Sequence, residues 1–366
     1  MRRKITFVLP DFFAGGAQKV MLSLAGGLDR SRYDPRILVL NAAGPFSTHV
    51  PEGVLVTDLQ KTSLRRALPA LRRELRGDAP DIVMSVMGYL NLGVLLLKPA
   101  LKPGTCFIVR EANAVRPEGS NGLSLLARKL AYRQLYKRAD RVVSPSELIA
   151  DELAGSFGVT RSLISVLRNP VDVDALRAAA SPLRRADGSM KHFVCVGRLS
   201  RQKAYDRLLE TLADHDVDAH VTILGEGPER GALEARCRER GLESRVTLAG
   251  FDAAPWAHVA GADALLLPSR WEGLPNVALE GLALGTPVIA APEAGGIGEI
   301  AALAPAGAVT LAKMGPDFAA AMLKAKPQAG RTVRPSLLPD QFHPRSINSA
   351  FAALLDECWA ADNARP

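Results

Sequence analysis

Short segments that are apolar at nearly every position, separated by longer stretches of helical periodicity, constrain this chain more than any other feature. In its first half they are residues 5–9, 36–40, 82–86, 106–109 and 141–143; in its second half 193–196, 221–224, 246–248, 264–267, 287–291 and 308–311. A strand with one face in water alternates apolar and polar residues. These do not, so each must be covered on both faces, as in a parallel sheet whose crossover helices pack on either side. At 366 residues the chain exceeds one ordinary core. The two series therefore predict an α/β protein of two Rossmann-like, doubly wound parallel-sheet units in tandem.

The pattern breaks at Asn169-Pro170-Val171-Asp172 and over the Ala/Pro/Arg-rich stretch 177–191, which places the linker there and the units at 1–170 and 171–343. The segment 344–361 carries Ile347, Phe351, Leu354, Leu355 and Cys358 at helical spacing behind Pro344. It reads as an amphipathic helix in need of an apolar partner.

Composition excludes several classes. With 48% apolar and 23% charged residues the chain is not a disordered scaffold. The apolar runs at 5–9 and 92–97 stop at Pro10 and Lys98, too short for a span or a signal core, so a cytosolic protein is expected. Cys106, Cys195, Cys237 and Cys358 are too widely scattered for a disulfide framework or a zinc site and read as four reduced thiols. Asp172-Val173-Asp174 and Asp214-His215-Asp216 have the form of a metal-binding D-x-D, but one lies in the linker and the other in a polar loop, and the six His are scattered; no metal is expected.

Charge is uneven. Residues 1–170 carry 25 Lys/Arg against 14 Asp/Glu, the remainder 21 against 24. Segments 61–76 and 128–141 read as basic amphipathic helices, either solvated above a buried apolar stripe or laid on an anionic membrane surface. No nucleic-acid-binding module is visible, and nucleic acid is not an expected partner.

Three motifs carry chemistry. After the run 264–267 comes Pro268-Ser269-Arg270-Trp271-Glu272-Gly273-Leu274-Pro275-Asn276-Val277-Ala278-Leu279-Glu280, a tight loop followed by a helix opening near Pro275 and Asn276 and closing at Gly285. Backbone N–H groups of Gly273, Leu274, Asn276 and Val277 at such a start favour an anion. Glu272 and Glu280 add carboxylates that accept hydrogen bonds from sugar or ribose hydroxyls. Two surface glutamates around an ordinary helix cap are the plain alternative. The second motif, Gly197-Arg198-Leu199-Ser200-Arg201-Gln202-Lys203-Ala204, places Arg198 and Lys203 where they can hold a diphosphate, although two basic loop residues are commonly just solvated. The third is Gly15-Gly16-Ala17-Gln18 ahead of a helix, where paired glycines permit close backbone approach. It is neither a P-loop nor a dinucleotide fingerprint.

Together these residues resemble a known family. Glu272 and Glu280 form its E-x7-E element, Gly197-Arg198-Leu199 with Gln202-Lys203 is similar to G-R-L-x-x-Q-K-G, and Gly15-Gly16-Ala17-Gln18 to G-G-A-[EQ]. Asn169-Pro170-Val171-Asp172 and Gly225-Glu226-Gly227-Pro228 resemble the interdomain element and the G-x-G-P strand end. The chain resembles the retaining nucleotide-sugar glycosyltransferases of family 4, which have the GT-B fold of two domains facing a central cleft.

The resemblance implies an N-terminal acceptor domain, 1–170, completed by the helix at 344–366, and a donor domain, 171–343. Arg198 and Lys203 would hold the diphosphate of a UDP-sugar. Glu280 would hold the ribose, and Glu272 the transferred sugar with the amides around Gly273, Leu274, Pro275, Asn276 and Val277. Gly15, Gly16 and Gly197 would approach the nucleotide sugar, and Phe251 would contact the nucleotide base with backbone atoms. Where many members carry a His, this chain has Arg110-Glu111, so Glu111 or Arg110 takes that place. Ala204 replaces the last glycine of Q-K-G, a change tolerated unless the position needs positive φ. No cofactor or metal is implied beyond the nucleotide sugar. The acceptor would be a glycan or lipid-linked intermediate of bacterial surface polysaccharide or lipopolysaccharide, met at the inner face of the cytoplasmic membrane. A sugar-nucleotide epimerase of the same architecture and a non-catalytic sugar-nucleotide sensor are the rival readings.

Overall fold

Seven parallel strands in the order β3-β2-β1-β4-β5-β6-β7 and six in the order β10-β9-β8-β11-β12-β13 form the two sheets of the molecule. The computed structural model describes residues 2–13, 15–113, 122–181, 190–328 and 332–363; Ala14 of the glycine loop and residues 182–189 of the expected linker lie outside them. Backbone contacts divide the chain into two units, Met1–Pro170 with Pro344–Pro366, and Val171–His343.

Unit 1 runs β1 Arg3–Leu9, α1 Gly16–Gly26, β2 Tyr33–Val39, β3 Leu55–Asp58, α2 Leu64–Asp78, β4 Ile82–Val86, α3 Gly88–Leu97, β5 Cys106–Arg110, α4 Gly122–Leu135, β6 Arg141–Ser144, α5 Glu147–Phe157 and β7 Ile164–Val166. Unit 2 runs α6 Val173–Ala179, β8 Lys191–Val196, α7 Tyr205–Asp214, β9 Ala219–Leu224, α8 Arg230–Glu239, β10 Val246–Gly250, α9 Trp256–Gly261, β11 Ala264–Leu267, α10 Asn276–Ala283, β12 Val288–Ala290, α11 Ile297–Leu303, β13 Val309–Leu311 and α12 Pro316–Lys324. The chain closes with α13, Pro344–Asn363, in unit 1.

Every position of β4, β5 and β11 is buried. Each sheet has a core on both faces: in unit 1 Phe7, Met84 and Ile108 point to one side, Val8, Val83 and Phe107 to the other. That two-sided burial is what the unbroken apolar runs require. In each sheet the strand order reverses once, between β1 and β4 in unit 1 and between β8 and β11 in unit 2. Loops leaving the carboxyl ends of those pairs flank the crevice where open α/β sheets take ligands.

Helix α13 buries Ile347, Phe351, Leu354 and Leu355 in the same core as β1 and α1. Burying each is worth about 1.5–3 kcal/mol relative to water, which gives the helix the partner its pattern demands. Cys358 on this helix is joined to Cys106 on β5 by a disulfide spanning 252 positions. The reading of four reduced thiols is thus corrected to one pair, with Cys195 and Cys237 free and buried. The pairing escapes sequence reasoning because only the return of the last helix brings the two together.

Two boundaries also move. The stretch 177–191 is not all linker: α6 runs to Ala179, and Arg177 Nη1 donates to Ala283 O at 3.2 Å and Arg334 O at 2.7 Å, docking that helix on unit 2. The basic segment 128–141 is not one helix, since α4 ends at Leu135 and Arg141 already belongs to β6.

Candidate functional site

In unit 2 the loop after β8, at the switch point, holds Gly197, Arg198, Gln202 and Lys203, and the loop after β11 holds Ser269, Arg270 and Glu272. Lys203 Nζ meets Glu272 Oε1 at 2.6 Å, with the two side chains 18% and 9% exposed. A charge pair that buried is tightly constrained, because removing one partner strands the other away from water. Ser269 Oγ donates to the same Oε1 at 2.8 Å, and Gln202 Nε2 donates to Oε2 at 3.2 Å and to Trp271 O at 3.0 Å. Three side chains from two loops thus fix one carboxylate.

A second tie runs beneath it. Arg270 N–H donates to Gln202 O at 2.8 Å, and the Arg270 guanidinium grips Asp206 of α7 through two bonds of 2.9 and 2.6 Å. Burial pushes the Asp206 carboxyl up, but the Arg270 hydrogen bonds and charge prevail and hold it below its ordinary value. Neither this fork nor the Ser269 and Gln202 contacts can be read from the sequence. Their places within the two motifs are a signal, but which carboxylate each reaches depends on β8 and β11 being neighbours.

Local backbone explains the loop's residues. Gly197 has φ 157°, and a Cβ there would stand 2.9 Å from Lys203 Cε, so a side chain would collide with the lysine stem. Ala204, at the N-cap of α7, lies in the left-handed region at φ 56°, ψ 36°. The condition under which alanine would be harmless is therefore not met, and the position carries strain that glycine would relieve.

Arg198 is exposed and, among the described residues, makes no side-chain hydrogen bond or ion pair. Helix α10 opens with Ala278 N–H bonded to Pro275 O at 3.0 Å, so the N–H groups of Gly273, Leu274, Asn276 and Val277 precede the helical ladder. Glu280 lies half-buried one turn into α10, eight positions after Glu272. Phe251, 49% exposed, follows β10, two strands from β8. No contact brings it to the Lys203–Glu272 pair. Asp172, of the first D-x-D, caps α6 by accepting from Ala175 N–H at 3.0 Å. Among the described residues no cluster of three or more potential metal-ligating side chains occurs.

In unit 1, Gly15 is the N-cap of α1 and Gly16 its first residue. A Cβ at Gly15 would stand 2.4 Å from Gln18 Oε1. Glu111, directly after β5 and 3% exposed, accepts through Oε1 from Asn91 Nδ2 at 3.0 Å, from the Tyr132 hydroxyl at 3.3 Å, and from the Tyr136 hydroxyl. Its Oε2 accepts nothing from the described residues. Burial raises the carboxyl to about 7, against those donors, which favour the anion. Arg110 points elsewhere: fully buried, it donates through Nη2 to Leu167 O at 3.0 Å and Asn169 Oδ1 at 2.6 Å, and burial lowers it to about 10.

Residues 14–175 match the family described as Glycosyltransferase Family 4, and residues 184–326 the family described as Glycosyl transferases group 1. N-acetylgalactosamine-N,N'-diacetylbacillosaminyl-diphospho-undecaprenol 4-alpha-N-acetylgalactosaminyltransferase of Campylobacter jejuni is 29% identical over 181 residues, 49% of either chain. Lipopolysaccharide 1,6-galactosyltransferase of Salmonella typhimurium is 33% identical over 138 residues, 36% of this chain and 37% of that one. The chain thus spans about half or less of the length of these curated relatives. Among solved structures, Anabaena HepE in complex with UDP and glucose matches with a TM-score of 0.75 at 18% identity, over 97% of this chain and 100% of that one.

Proposed function

The chain belongs to the family 4 type glycosyltransferases of the GT-B fold, and from that membership we propose that it moves a sugar from a UDP-sugar to a hydroxyl of a glycan or lipid-linked acceptor, with retention at the anomeric carbon. The observation that carries the reading is the Lys203–Glu272 pair at the switch point of unit 2, clamped by Ser269 and Gln202 in one loop system with the exposed Arg198. UDP is favoured as the nucleotide because HepE, of the same fold, is complexed with it. A diphospho-undecaprenol-linked or lipopolysaccharide acceptor is favoured by the names of the Campylobacter and Salmonella relatives.

In this reading the acceptor hydroxyl attacks the anomeric carbon on the face from which the diphosphate departs. The carbon–oxygen bond to phosphate breaks as the new one forms, and the acceptor's proton passes to a diphosphate oxygen. The protein positions the two substrates and stabilises charge growing on the leaving diphosphate. Arg198 and Lys203, as cations, neutralise that negative charge, so this reading calls for no metal. Glu272 and the amides at the start of α10 hold the transferred sugar, Glu280 the ribose, Gly197 and Phe251 the nucleotide. In unit 1, Gly15 and Gly16 let the backbone approach the nucleotide sugar, and Glu111 accepts through its open Oε2 from a neighbouring acceptor hydroxyl that does not react.

No helix among the described residues is long and apolar enough to cross a membrane. A peripheral place on the inner face of the cytoplasmic membrane is supported by α4, which exposes Leu126 at 65% and Leu130 at 58% beside exposed Arg133 and Lys137. On α2 the apolar residues Ala67, Leu71 and Leu75 are buried in the protein's own core, and its exposed face is mostly arginine.

The test is a panel of UDP- and GDP-sugars scored by thermal shift, then by hydrolysis and transfer, with Glu272→Gln alongside. Binding of a UDP-sugar should raise the melting temperature by mass action. Glu272→Gln should lower transfer by about 100-fold or more, the scale of a lost transition-state contact. Binding without turnover would make the protein a sensor, alteration of the UDP-sugar without acceptor an epimerase, and a product of inverted configuration would overturn retention.

A further inference from the structure

Tyr205, the first residue of α7, is 2% exposed and packs in the core shared by Phe193, Cys195 and Leu208. A buried tyrosine hydroxyl ordinarily finds a hydrogen-bond partner, because an unpaired polar group away from water costs stability. The other three buried tyrosines obey this: Tyr33 donates to Asp356, and Tyr132 and Tyr136 donate to Glu111. The Tyr205 hydroxyl makes no hydrogen bond among the described residues. An exception of that kind asks for an explanation, and the reaction above does not use the residue.

Two neighbours fix where this hydroxyl lies. A Cβ on Gly197 would stand 3.0 Å from the Tyr205 hydroxyl, 2.9 Å from Lys203 Cε and 3.3 Å from Lys203 Cδ. The phenol and the lysine stem therefore meet at one glycine of the loop after β8, and a side chain at 197 would cover both. Between them in sequence stands Ala204, whose left-handed backbone turns Lys203 and Tyr205 towards that glycine. Backbone strain kept in a ligand loop is commonly part of its pre-organisation.

The chemistry around the hydroxyl selects what it can bind. Glu272 is already engaged, Oε1 by Lys203 and Ser269 and Oε2 by Gln202, and the phenol bonds to neither oxygen. Burial first, then Cys195 and Glu272, raise the phenol well above its ordinary value, so at neutral pH it is an uncharged donor. With Lys203 and the exposed Arg198 it makes a set of donors in one loop. A sugar hydroxyl wants an acceptor as well as a donor, whereas the outer oxygens of a phosphate only accept.

We propose that the Tyr205 hydroxyl is a further contact for the diphosphate of the nucleotide sugar, donating to a phosphate oxygen seated over Gly197 beside Lys203. The bound oxygen supplies the partner that the buried phenol lacks. The proposal rests on the nucleotide-sugar reading for the identity of the ligand, but the contact with a diphosphate can be measured without a nucleotide.

The experiment is isothermal titration calorimetry on the full chain with UDP, GDP and inorganic pyrophosphate, comparing the wild type with Tyr205→Phe, alongside the melting temperature of each protein without ligand. Tyr205→Phe should weaken pyrophosphate and UDP about ten-fold, the worth of one hydrogen bond to a charged group. Its ligand-free melting temperature should equal or exceed that of the wild type, because the ring stays and only an unpaired hydroxyl goes. A role in the fold alone would give the opposite, a lower melting temperature with unchanged affinity. Equal affinity of the two proteins for pyrophosphate, or a lower ligand-free melting temperature of Tyr205→Phe, would overturn the proposal. The two readings fail separately: a wild type that binds pyrophosphate but neither UDP nor GDP removes the nucleotide and leaves the Tyr205 contact to be judged on the ten-fold loss, whereas tight UDP binding indifferent to Tyr205→Phe removes the contact and keeps the nucleotide. A wild type that binds none of the three removes both.

Discussion

Glu111 is where one residue sets stability against activity. Its carboxyl is raised from 4.5 to about 7, chiefly by burial. An acid raised on folding binds more protons folded than unfolded, so its contribution is most favourable below the unfolded value and is lost as pH climbs towards the folded one. The shift corresponds to about 3 kcal/mol between pH 5 and 8 at most, at roughly 1.4 kcal/mol per unit. The anion that destabilises the fold is also the form that accepts a hydrogen bond from an acceptor hydroxyl. Wild-type melting temperature should therefore fall from pH 5 to 8 while transfer rises with an inflection near 7. Glu111→Gln should flatten the melting curve across that range and abolish the inflection. Differential scanning fluorimetry and a kcat/KM profile read the two effects, and a wild-type profile flat through neutrality would contradict the assignment. Ala204 poses a simpler balance. Its left-handed backbone costs an L-residue about 1–2 kcal/mol, partly offset by the extra freedom glycine has when unfolded. Ala204→Gly should raise the urea midpoint by up to about 1 kcal/mol of stability, and a lower midpoint would show the strain to be absent.

Among elements, legibility follows burial. The runs at 82–86 and 264–267 coincide with β4 and β11, strands covered on both faces, where the absence of alternation is a direct imprint of the sheet. Strands β3 and β7 leave no such run. β3 is at an edge and only half-buried, with Leu55 58% exposed, and β7 is three residues long at the other edge. Short edge strands carry little apolar pattern to read. The candidate site divides the same way. Lys203 and Glu272 are legible because each sits in a loop whose composition announces it, and their spacing along the chain does not matter. Ser269, Gln202, Asp206 and Arg270 are not, because their roles exist only once β8 and β11 lie side by side and the two loops stitch together. The Cys106–Cys358 pair is the extreme case: a returning helix creates a contact that no local window contains.

At the scale of the whole molecule, charge and apolar exposure make separable demands on a membrane surface. The excess of Lys/Arg lies in residues 1–170, 25 against 14 acidic residues, whereas the remainder is slightly acidic at 21 against 24. Each basic residue near an anionic leaflet contributes about 1 kcal/mol, and that attraction fades beyond a Debye length of roughly 10 Å at 0.1 M salt. The exposed Leu126 and Leu130 on α4 add an apolar term that salt does not screen. Flotation with phosphatidylglycerol vesicles should therefore show binding at low salt that declines steeply, leaving a fraction of bound protein at high salt. Arg133→Glu with Lys137→Glu should remove the salt-sensitive part, and Leu126→Ser with Leu130→Ser the salt-resistant part. Because the two terms act through different residues of one segment, the double variants discriminate lipid adsorption from a merely solvated basic face, on which neither pair would matter. Failure to float with anionic vesicles at low salt would remove the membrane from the proposed function and leave the chemistry of unit 2 untouched.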